Sequence, residues 1–152
     1  MRLLMIAVLL IPGCGSDRTS DGGNPPPKLT DTSTPAPVGV GACLTQDGSA
    51  IPANNLRAVG TEPFWGARVE GRCVTYSHPQ NPTGTRVWTK FSGSPTNGVW
   101  SGSLNGQPFV MRTRTQAGCS DGMSDTRYPI AVSLTVGGEQ RSGCAQPRST
   151  TE

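Results

Sequence analysis

The sequence predicts a mainly β fold: a small antiparallel meander, either a curled sheet or a barrel, stapled by disulfides. Three observations predict it. Apolar residues recur at every second position in short runs, the period of a strand with one buried face; Ile130, Val132, Leu134 and Val136 form the clearest run. Turn chemistry separates the runs, with Asn105-Gly106 and Gly137-Gly138 the strongest reversal signals. Helix formers are scarce, and only 34% of the 152 residues are hydrophobic. A core that small usually needs covalent support, and the chain carries five cysteines.

Met1 to Gly13 reads as an export signal, with Arg2 as a minimal positive region and Leu3 to Ile11 as the apolar stretch. That stretch is too short to span about 30 Å of hydrocarbon, which takes roughly 20 residues. It ends in Leu10-Ile11-Pro12-Gly13-Cys14, which resembles the lipobox of bacterial lipoproteins, although Pro12 stands where Ala or Ser is more usual. The resemblance implies that the Cys14 thiol is acylated, by palmitate among other chains, and that the leader is cut just before it. The plainer alternative is a secretory signal with an incidental thiol. Gly15 rather than aspartate follows the cysteine. In enteric lipoproteins that permits transfer to the outer membrane, facing the periplasm.

Residues 14–40 are polar and rich in Pro, Gly, Ser and Thr, with no apolar period, so they are expected to be a disordered tether. The folded domain is expected over 41–147 and a frayed tail over 148–152. Within the domain, Cys43-Leu44 is a first strand or a covering segment, and Leu56 to Val59 a strand. Gly60-Thr61-Glu62-Pro63-Phe64-Trp65 is a turn that launches a strand through Ala67 and Val69. Gly71-Arg72 reverses the chain into Cys73 to Ser77, and His78 to Gly84, with two prolines, reads as a loop. Arg86 to Phe91, Gly98 to Leu104 and Pro108 to Thr115 follow as strands. Cys119 to Pro129 is a loop, then come the Ile130 to Val136 run and Glu139 to Cys144. The total expected is six or seven strands.

Gly60-Thr61-Glu62-Pro63-Phe64-Trp65, Cys119-Ser-Asp-Gly-Met-Ser-Asp125 with Tyr128-Pro129, and Gly143-Cys144-Ala145 together resemble an uncharacterised family of bacterial envelope proteins. Many of its members are lipoproteins, sometimes with META/HslJ-type domains beside the matching domain. The resemblance covers about Leu56 to Ala145. It implies an envelope location and a small β domain, and carries no catalytic residue or ligand. Four cysteines allow three connectivities. Because Cys119 and Cys144 both fall in the shared motifs and Cys43 lies outside them, the resemblance implies Cys119–Cys144 and Cys43–Cys73. A zinc site of the four lacks any Cys-x-x-Cys spacing.

Two groups of residues are chemical candidates. Asp121 and Asp125 flank a glycine-bearing turn, where they are weak candidates for a metal or an acid/base pair and stronger ones as caps of backbone N–H groups. Glu62, beside Phe64 and Trp65, is expected to be partly buried and paired with Arg112 or Arg114, which share one strand face. Trp65, Trp88 and Trp100 are expected in the core and barrel wall. His78 is the only histidine, and no Gly-x-Ser-x-Gly motif accompanies it. A net charge of +3 is too small to argue for nucleic acid.

The expected function is therefore non-catalytic: a lipid-anchored envelope domain binding an envelope protein, a glycan or a small ligand, without a cofactor. The rival is a metal-assisted hydrolase using Asp121, Asp125, His78 and Glu62. A third possibility is a purely structural spacer.

Overall fold

A computed structural model describes residues 40–149. The leader, Cys14, the tether up to residue 39 and residues 150–152 lie outside the described residues. One helical turn, α1 (Val40–Cys43), is followed by a two-strand ribbon, β1 (Thr45–Gln46) and β2 (Ser49–Ala50). Eight longer strands then run in sequence: β3 (Leu56–Thr61), β4 (Phe64–Glu70), β5 (Cys73–His78), β6 (Asn81–Ser94), β7 (Asn97–Leu104), β8 (Gln107–Ser120), β9 (Arg127–Val136) and β10 (Glu139–Pro147). Each pairs antiparallel with the next, and β10 returns to β3 through Cys144 opposite Val59 and Ala145 opposite Ala58. The meander is thus a closed barrel.

The eight barrel strands match the eight runs read from Leu56 to Cys144, more than the six or seven expected in total, and β5, β6, β8 and β9 extend into two stretches read as loops. Only Pro79 and Gln80 separate β5 from β6. Pro82 is accommodated where the register shifts, and the Asn81 side chain accepts the Gly84 N–H at 3.2 Å. Likewise Cys119 and Ser120 belong to β8 and Arg127 to Pro129 to β9, leaving residues 121–126 as the loop. Asn105-Gly106 makes the predicted tight hairpin, both residues at positive φ (51° and 77°). Gly137-Gly138 does the same.

An eight-stranded barrel is just wide enough for side chains to fill. Here Leu56, Trp65, Trp100, Phe109, Met111 and the Ile130 to Val136 run fill it. The alternate positions carry Arg57, Arg68, Arg86, Lys90, Arg112 and Arg114 outward, all exposed. A charged outside around an apolar inside is the reverse of a barrel that faces lipid.

The N-terminal segment closes one end. The Cys43–Cys73 disulfide ties it to β5, and the Gln46 side-chain amide bonds both backbone groups of Phe91, at 2.9 and 2.7 Å. Those groups need a partner because β5 pairs only with the first half of β6, whose second half pairs with β7. Gly71 turns at positive φ beneath this cap; a Cβ there would lie 2.1 Å from the Cys43 carbonyl. Cys43-Leu44 is thus a covering segment and not a barrel strand. The four turns at the other end surround an open mouth.

Candidate functional site

A barrel wall is convex outside, so a groove there needs a second wall. The end of the β8–β9 hairpin supplies it. The Cys119–Cys144 disulfide ties this end to β10, and Thr61 Oγ1 on β3 donates to the Asp121 carbonyl at 2.9 Å. Between hairpin and wall lies a groove of about 990 Å³ that crosses β7, β8, β9, β10 and β3. Arg112, Arg114, Glu62 and Asp121 line it, with Asn97, Gln140 and Ser142 among its polar neighbours.

Asp121 shapes the groove's edge. Its Oδ1 accepts the Met123 and Ser124 backbone N–H groups at 3.0 and 3.1 Å, and its Oδ2 accepts the Tyr128 hydroxyl at 3.1 Å. The Met123 N–H is the main reason its carboxyl sits below the usual carboxylate range; partial desolvation opposes this, and Ser124 and Tyr128 add to the lowering. Desolvation, helped by the Asp121 carboxylate, raises the Tyr128 hydroxyl. Asp121 is thus the cap of its own loop, as aspartates at such turns are. Asp125 is exposed and lines neither concavity.

The expected Glu62 ion pair is not formed. Glu62 is exposed at its turn rather than partly buried, and the ion pairs among the described residues are Arg86–Glu70, Lys90–Asp47 and Arg141–Glu139. Phe64, the neighbour expected to bury it, is itself 52% exposed. Arg112 has no carboxylate partner among the described residues, and Arg114 Nη2 donates to Gln116 Oε1 at 2.7 Å. The Trp65 indole turns into the core, away from this cluster. Trp100 is also core, its Nε1 donating to the Gly71 carbonyl at 3.0 Å. Trp88 is not: it lies on the outside, with the Arg72 guanidinium 5.4 Å from its ring.

The open mouth is a second concavity, of about 740 Å³. Its polar residues Tyr76, Glu139 and Arg141 escaped the sequence reading. Arg141 shares the inward phase of β10 with Gly143 and Ala145 and stands opposite Leu134. A charge in phase with core positions is the signal that could have found it. His78 lies at this mouth, beside Tyr76 at 5.7 Å between ring centroids. His78 and Asp121 therefore line different concavities, and the hydrolase constellation is not assembled. Among the described residues no three His, Cys, Asp or Glu side chains gather at metal-binding distance.

Comparison with protein-family models, with curated proteins and with solved structures finds no match to this chain.

Proposed function

We propose that this chain is a lipid-anchored lipoprotein of the bacterial envelope whose barrel is a non-catalytic binding domain, and that the outer groove takes a carboxylate-bearing envelope glycan. The observation that carries the reading is the pair Arg112 and Arg114, side by side on the outer face of β8 in the groove, neither paired with a carboxylate among the described residues. Guanidinium groups bind carboxylates through paired, charge-assisted hydrogen bonds. Hydroxyl and amide groups of Asn97, Gln116, Ser133, Gln140 and Ser142 suit sugar hydroxyls, and Val99 and Ala131 offer apolar surface to a sugar ring. The carboxylates of Glu62 and Asp121 steer an anion toward the arginine side. Within the barrel β8, β9 and β10 are paired on both sides, so a partner peptide has no strand edge to extend there.

The lipobox at Cys14 and the motif resemblance support the envelope setting. Two disulfides suit an oxidising compartment. The test has two arms. Cys14→Ser should abolish palmitate labelling, and continued labelling would refute the anchor. The full chain should co-sediment with purified cell-wall sacculi and lose that association when Arg112 and Arg114 are both changed to Gln. Equal sedimentation of the double variant would refute the groove.

A further inference from the structure

Arg141 is a cation in the wrong phase for a core. Alternation along β10 points it inward, opposite the fully buried Leu134, and its side chain is only 15% exposed. Burying a guanidinium is costly unless its donors are met. They are met only in part. Its Nη1 donates to the Tyr76 hydroxyl, and its Nη2 to Glu139 Oε2 at 2.8 Å. Its Nε–H is buried and has no partner among the described residues. Nε and Nη2 share one edge of the guanidinium, the edge that takes a carboxylate through two parallel hydrogen bonds. Glu139 fills one half of that edge and is itself 67% exposed, so water competes for it.

We propose that the barrel mouth is a second binding site, for a small carboxylate with an apolar body, and that the carboxylate takes the Nε–Nη2 edge of Arg141 in place of Glu139. The Tyr76 oxygen accepts from Arg141, which leaves its own O–H to donate to the same ligand. Burial holds the Tyr76 hydroxyl above its ordinary value, with Arg141 lowering and Glu139 raising it, so it stays protonated for that role. Phe64, Leu104 and Val136 offer apolar surface around the floor. Glu62, also on the rim, is exposed, and its repulsion is screened by solvent. The site is separate from the outer groove in its cation, its floor and its strands' inner face.

The test titrates the full chain, in detergent micelles, with phenylacetate and with phenylacetamide, which has the same shape without the charge. The Arg141 Nε–H resonance should move with phenylacetate, together with Tyr76 and Phe64. Phenylacetamide should bind about tenfold more weakly or less. Arg141→Met should remove the response. Glu139→Gln, a surface change that leaves the barrel intact, should tighten phenylacetate by about threefold, since it removes the charged competitor. No movement of Nε–H, equal binding of the amide, or an unchanged affinity in Glu139→Gln would each overturn the proposal.

Discussion

Trp65 occupies the space that a side chain on Gly60 would need: a Cβ built on Gly60 would lie 2.0 Å from the indole Nε1. Gly143 on β10 yields in the same way, with a Cβ 2.7 Å from Trp65 Cζ2 and 2.2 Å from the Val59 carbonyl oxygen. Two glycines from the closing pair of strands thus make the bed of one indole. Gly60→Ala and Gly143→Ala should each destabilise the barrel by about 1–3 kcal/mol, the range for overpacking a filled core. Urea unfolding measures it. Trp65→Leu should recover part of the loss in the Gly60→Ala background, because the two positions share one space.

The Cys119–Cys144 bridge spans 25 residues and ties the hairpin that walls the groove. Replacing both cysteines by Ser should cost about 3 kcal/mol by loop-closure reasoning, and amide exchange should rise along residues 116–128. The intact chain should show no free thiol among Cys43, Cys73, Cys119 and Cys144 when unfolded without reductant. One reactive thiol from this set would contradict the two-bridge structure.

Asp121 makes the groove's edge sensitive to acid. Its folded carboxyl lies below the ordinary 3.8, so its ordering of the loop is fully present above that value and is lost as pH falls through the lower folded one. The Met123 and Ser124 amide resonances should hold their positions through neutral and mildly acidic pH, then move toward random-coil values in strong acid. Asp121→Ala should show the moved positions already at neutral pH. Insensitivity of both resonances to the substitution would count against the cap.

Much of the fold was legible because strands and tight turns are local signals. The inward run from Ile130 to Val136, and the turns Asn105-Gly106 and Gly137-Gly138, appear where the pattern puts them. The two misread loops failed for a physical reason: Pro82 and the Cys119 region look like breaks locally, yet ladder pairing with β5 and β9 overrides local propensity. The candidate site was legible in composition but not in pairing. Glu62, Arg112, Arg114 and Asp121 do line one groove. Glu62 nevertheless pairs with no arginine among the described residues, because it is exposed to solvent on the β3–β4 turn. Trp88 shares its face with Arg86 and Lys90 while Val87, Thr89 and Phe91 face the core, so alternation along β6 outweighs the apolar character of the indole. Arg141 stayed hidden until the β10 register put it in phase with Ala145.

The two groove arginines should act separately. Arg112→Gln or Arg114→Gln alone should weaken sacculus association by about tenfold, the scale of one charge-assisted hydrogen bond. Neither should shift the melting temperature appreciably, since both side chains are exposed. A single variant that unfolds the barrel would show that the residue supports the wall instead.

The most direct measurement is a hydrogen-exchange footprint of the full chain with and without soluble fragments of the cell-wall glycan. Protection is expected only within residues 60–62, 97–99, 112–121, 131–133 and 140–143, the strands and hairpin end that bound the groove. Protection elsewhere on the barrel, or none at saturating fragment, would contradict it.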